Sequence, residues 1–132
     1  MSRATEKFNN NYTEVVKKIE KKFSDLKVGE KMLISSPKSI ADYIAKIPYG
    51  TEKSVKLMRL DLAKNANADN TCPLTTGIFL RIAIEASLEQ ANGRKPKLPF
   101  WRVISGKSSI MKKLPISTKY LKELRTSEGL QD

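Results

Sequence analysis

Histidine is absent from these 132 residues, and cysteine and tryptophan occur once each. Without an imidazole the chain lacks the side chain most used as a general base near neutral pH, and the sole thiol, Cys72, has no imidazole to activate it. One cysteine and no histidine leave a metal ion only scattered carboxylates, so no metal or other cofactor is expected, and glycine-rich phosphate loops are missing. A single cysteine cannot close an internal disulfide. No hydrophobic run approaches the roughly 20 residues a membrane span needs. The stretch 1–11 is polar and carries no apolar core of a secretory signal. These absences point to a soluble, reducing, cytoplasmic setting and argue against an acyl-, alkyl- or phosphoryl-transferring enzyme.

What the chain has in excess is positive charge: 25 Lys and Arg against 14 Asp and Glu, a formal +11. Such a balance favours polyanionic partners, although a lysine-rich surface also serves solubility alone. The excess is uneven. Residues 1–36 hold eight basic and five acidic side chains, 37–92 seven and six, and 93–132 ten and three.

At this length one domain can bury a core unaided. Phe8, Tyr12, Val15, Val16, Ile19, Phe23 and Leu26 recur at threes and fours, which predicts one basic amphipathic helix over Glu6–Leu26, stopped near Gly29. Ser36 and Pro37 open a second helix to Ile47, and Ser54 caps a third carrying Val55, Leu57, Met58, Leu60, Leu62 and Ala63. The polar run Lys64–Asn70 reads as a loop. Pro73 then starts the longest helix, which Asn92-Gly93 closes. Arg94–Pro99 is a basic extended linker, because two prolines resist helix and hold the residues before them extended. Phe100–Ile104 alternates as a short strand does, Ser105-Gly106-Lys107 reads as a turn, and Ser117 caps a last helix ending at Glu128-Gly129. The expected fold is mainly α with a small β element: a winged helix-turn-helix domain over 32–132, with an added N-terminal helical extension over 1–31.

Cys72 has two readings. A thiol at the start of a long helix sits where amide dipoles favour an anion, but a small buried residue packed below the helix is the commoner case.

Several segments, taken in order, carry a resemblance. They are Ile47-Pro48-Tyr49-Gly50, Ser54 with its helix, Thr76-Gly77-Ile78-Phe79-Leu80-Arg81, Pro99-Phe100-Trp101-Arg102-Val103-Ile104, and Lys119–Leu124 followed by Glu128-Gly129. Together they resemble the DNA-binding domain of the methylated-DNA protein cysteine methyltransferases over about residues 32–130. The absence of the reactive cysteine brings the chain closer to the stand-alone alkyltransferase-like proteins. The resemblance implies a winged helix-turn-helix that enters the minor groove and rotates a damaged base into a pocket. Phe100 and Trp101 take the places of the family's cysteine and histidine. Its base-rotating tyrosine falls at about Val55 and its arginine finger near Leu74, so both functional side chains are replaced.

The reading that follows is a non-enzymatic DNA-binding protein similar to alkyltransferase-like damage sensors. Its partners would be double-stranded DNA, alkylated or not, and a repair protein. Leu74 is the candidate wedge, Thr75, Thr76 and Arg81 the candidate recognition-helix contacts, and Lys107, Lys112 and Lys113 the phosphate contacts from the wing. Arg102 belongs with these by the family motif and has a scaffold role as its competing assignment, as an ion pair is for Arg81. Phe100 and Trp101 would line a vestigial pocket, Trp101 either stacking on a base or filling the volume. The alternative is a protein–protein interaction module that uses the N-terminal helix on an inherited fold.

Overall fold

The computed structural model describes residues 3–131; residues 1 and 2 of the expected extension and the terminal residue 132 lie outside it. In chain order it contains α1 (Arg3–Asn9), β1 (Val15–Lys18), β2 (Lys31–Ile34), α2 (Pro37–Ala45), α3 (Val55–Asn65), β3 (Asn70–Thr71) and α4 (Pro73–Ala91). Two 3₁₀ turns (Phe100–Arg102 and Ser109–Lys112) and α5 (Thr118–Thr126) follow. The fold is therefore mainly helical with a small three-stranded sheet of order β1-β2-β3.

Local chemistry sets most helix boundaries. The hydroxyls of Ser36, Ser54 and Ser117 accept from the amides of Ser39, Leu57 and Tyr120, satisfying first-turn donors that have no partner within the helix. Asn92 ends α4 in the left-handed conformation.

The N-terminal segment departs from its expected helix. The helix stops at Asn9, where Asn9-Asn10-Asn11 offers short polar side chains that compete with helical hydrogen bonds. The β-branched pair Val15-Val16 then enters β1, which pairs antiparallel with β2 from Val15↔Ile34 to Lys18↔Lys31. Backbone bonds between Ile19 and Glu30 and between Gly29 and Ile19 extend the hairpin, and Gly29 holds φ +93 in its turn. The threes-and-fours spacing was shared by two short elements on opposite sides of a break. The boundary expected at 31/32 cuts through β2, so the hairpin is part of the same sheet.

The second departure is at Phe100–Ile104, which forms a 3₁₀ turn and no strand. A half-covered strand hides one face, whereas here Phe100, Trp101, Val103 and Ile104 are all buried. No strand occurs among the described residues after Thr71, so the wing expected from this region is not formed.

One core joins α2, α3, α4, α5 and the first 3₁₀ turn through Ile40, Ile44, Met58, Leu80, Ile84, Phe100, Trp101 and Leu121. A smaller cluster of Ile19, Leu26, Met32 and Cys72 sits beneath the hairpin. Cys72 is buried there, in keeping with the packing reading, and its side chain makes no cap hydrogen bond. No helix among the described residues is long and apolar enough to cross a membrane, and no group of three or more metal-ligating acidic or cysteine side chains occurs among them.

Candidate nucleic-acid interface

Residues of α4 spaced by threes and fours, Leu74, Gly77, Ile78, Arg81, Ile82 and Glu85, form one wall of a groove of about 580 Å³. Ala4 and Lys7 of α1 contribute a second wall, and Ser109, Ile110, Lys112 and Lys113 of the second 3₁₀ turn and its end a third. Thr5 fastens α1 in place: its amide donates to Glu89 Oε1 on α4 at 2.9 Å. The groove collects four cations, Lys7, Arg81, Lys112 and Lys113, against one carboxylate, Glu85. Leu74 and Ile78 project from α4, 64% and 49% exposed, although they are large and apolar.

Four of the residues picked from sequence, Leu74, Arg81, Lys112 and Lys113, thus meet on one surface. Arg81 pairs with Glu85 one turn along the helix and remains half-exposed. Such a surface pair is worth about 0–1 kcal/mol, so exchanging it for another anion costs little.

The remaining candidates stand elsewhere. Thr76 is fully buried and its hydroxyl donates back to the carbonyl of Cys72 at 2.7 Å, so it does not present an oxygen to a ligand. The Thr75 hydroxyl is enclosed and has no hydrogen-bond partner. Lys107 is exposed outside the groove lining. The linker cations Arg94, Lys95 and Lys97 gather at the other end of α4, around Gln90 and Asn92. At 1.5 Å per residue, that end of α4 lies roughly 25 Å from Leu74.

Arg102 is held by the scaffold. Its Nε and Nη2 donate to the two carboxylate oxygens of Glu128 at 2.7 and 2.8 Å, and its Nη1 donates to the carbonyl of Ile47 at 2.7 Å. The same carboxylate accepts from the Trp101 indole at 2.8 Å and from the Gly50 amide at 2.9 Å. Gly50 adopts φ +76, a conformation side chains rarely tolerate, and aims its amide at Glu128. These bonds, led by Arg102, hold the Glu128 carboxyl at about 2 against the opposing effect of burial. The segments Ile47–Gly50, Trp101-Arg102 and Glu128 are therefore tied to one carboxylate.

No family model, curated protein or solved structure matches this chain.

Trp101 and Phe100 do not line an open pocket. They are 2% and 0% exposed and pack edge to face with ring centroids 5.4 Å apart, while Lys95 Nζ covers the indole at 5.3 Å. A base cannot stack on an indole enclosed in this way.

Lys7 is not legible as a groove residue from sequence, because the apolar spacing places it on a long helix with no fixed relation to α4. The candidates drawn from sequence also omit two buried arginines. Arg59 lies on the buried face of α3 with Met58 and Leu62, a helical spacing that was visible in the sequence. It grips Asp25 with bonds of 2.7 and 2.9 Å, and that bond holds the Asp25 carboxyl below its ordinary value. Arg125 donates to the carbonyls of Trp101 and Ile104 at 2.8 and 2.9 Å, and no local pattern announced this.

Proposed function

We propose that this protein binds double-stranded DNA and performs no chemistry on it, sharing with the alkyltransferase-like proteins that its landmarks resemble the loss of the reactive cysteine. The observation that carries the reading is the groove itself, where Lys7, Arg81, Lys112 and Lys113 surround the exposed Leu74 and Ile78. Cations along the rim suit phosphates, and apolar side chains projecting from the helix suit the sugar edges and base steps of a minor groove. The interaction-module alternative relied on a long N-terminal amphipathic helix. That segment is a short helix followed by a strand, which lends that alternative no single amphipathic helix face.

Four phosphate contacts give a slope of about −3 to −4 in log K against log salt. From the groove alone, affinity for a fluorescent duplex, read by anisotropy, is therefore expected to fall by at least roughly a hundredfold between about 50 and 200 mM salt. No binding tighter than about 100 μM at the lower salt, or binding indifferent to salt, would remove the proposal.

Gly77 supplies a second test. It lies on the exposed face of α4, and a Cβ built there meets nothing within 4 Å. The fold gives no reason for a residue that weakens a helix interior by about 0.5–1 kcal/mol. A ligand pressed against the groove does. Gly77→Ala is expected to raise the midpoint of urea unfolding while weakening duplex binding about tenfold, because overfilling a close contact costs roughly 1–3 kcal/mol. Unchanged affinity would show that nothing approaches the helix at this point.

A further inference from the structure

The N-terminal hairpin ends beside the first turn of α4. Phe23 and Leu26 close its tip with paired backbone bonds of 2.9 and 3.2 Å. Leu26 is fully buried in the cluster that includes Cys72, the residue before α4. Asp25 is gripped by Arg59, whose Nε also donates to the carbonyl of Thr71 at 2.9 Å. The tip is thus pinned by a buried leucine and a two-bond ion pair at 71–72, next to the Leu74 end of the groove.

On this anchored tip Lys21, Lys22 and Lys27 are exposed, and none has an ion-pair partner among the described residues. Phe23 is 39% exposed between them. The hairpin over 15–34 holds six lysines against three acids, so the lysines at its tip repel one another. Of the neighbouring acids, Asp25 is engaged by Arg59 and Glu30 by the Lys27 amide, and the exposed Glu20 beside Lys21 forms no ion pair with these lysines.

We infer that the hairpin is the wing of this protein: Lys21, Lys22 and Lys27 contact the phosphate backbone of the same duplex whose groove meets Leu74 and Ile78. The inference rests on the duplex-binding proposal and extends its footprint. Lysine suits this role because it acts as a mobile point charge that follows phosphates without reading bases. The tip is fixed against Thr71 and Cys72, the residues that lead into α4, and Lys112 and Lys113 line the groove on another side. A duplex laid along the groove is then held by both. This arrangement puts the wing before the helix in sequence, where the region after Phe100 forms none.

The test compares the full chain with Lys21→Gln/Lys22→Gln/Lys27→Gln on a labelled duplex of about 20 base pairs. Anisotropy is followed from about 50 to 200 mM salt, with thermal melting alongside. At about 0.9 of slope per phosphate, groove and hairpin together predict a slope near −6, and the triple variant returns it to about −3 to −4 with melting unchanged. Arginine at the same three positions is expected to preserve the wild-type slope, separating charge from any loss of structure. A triple-glutamine slope equal to wild type, while Lys112→Gln/Lys113→Gln loses about two units, overturns the hairpin alone. No binding by the unaltered chain overturns the duplex proposal and the hairpin with it. A triple variant that keeps its duplex slope but loses binding to poly-glutamate assigns the hairpin to an acidic protein surface and also overturns the inference.

Discussion

Glu128→Gln is expected to lower the unfolding free energy by about 3–5 kcal/mol, as the loss of one member of a buried ion pair typically does. The substitution keeps the side chain's shape but replaces one accepting oxygen with an NH₂ that faces Arg102, Trp101 or Gly50, all of them donors. Arg102 cannot recover its loss from water, because its side chain is only 13% exposed. The effect has a defined pH range. In the folded protein the carboxyl sits at about 2, and its ordinary value is 4.5. A folded value below the unfolded one adds stability that is complete above pH 4.5 and is lost as pH falls from there toward 2. The gap between wild type and Glu128→Gln, measured by urea unfolding at a series of pH values, should therefore be full at pH 7 and narrow steadily below about pH 4.5. A gap that stays constant down to pH 2 would mean that the carboxylate's charge is not what joins these segments.

This network explains what was legible in the sequence and what was not. Helix limits depend on neighbours a few residues away, so Ser36, Ser54, Ser117 and Asn92 declared them openly. Spacing by threes and fours was a weaker guide over 6–26, since hydrophobic periodicity does not register a break at three consecutive asparagines followed by two valines. At Phe100–Ile104 the residue types alternate, whereas the burial of nearly every side chain follows from tertiary contacts made by α5 and Arg125. The candidate interface divides in the same way. Leu74 and Arg81 share a helix face by arithmetic, and their meeting with Lys112 and Lys113 required the fold. Thr76 failed for a local reason: a hydroxyl inside a helix can bond its own turn, as this one does with Cys72.

Trp101→Ala should cost about 3–5 kcal/mol of stability, the usual range for emptying a buried aromatic site, and yet leave duplex affinity within about twofold of wild type. The two outcomes are linked by the indole's position. A tryptophan that stacked on a base would contribute roughly 1–3 kcal/mol to binding, and its removal would weaken binding five- to a hundredfold or more. Here the ring lies between Phe100 and Lys95, its N–H bonded to Glu128, so the volume a rotated base would need is already occupied by protein. Base extrusion costs a few kcal/mol and needs a receiving cavity to offset it. Duplexes with and without an alkylated guanine should therefore bind equally, which narrows the proposed activity to lesion-independent duplex binding. Because this is the only tryptophan in the chain, its fluorescence reports directly: emission should be blue-shifted, resist acrylamide quenching, and stay unchanged when duplex is added. If the alanine variant proves too unstable to assay, Trp101→Phe keeps an aromatic ring, removes the bond to Glu128 together with part of the buried volume, and should cost at least about 1.5–3 kcal/mol. Either variant binding duplex markedly more weakly, or indole emission quenched by DNA, would place the ring in contact with the ligand and restore a base-reading role to this segment.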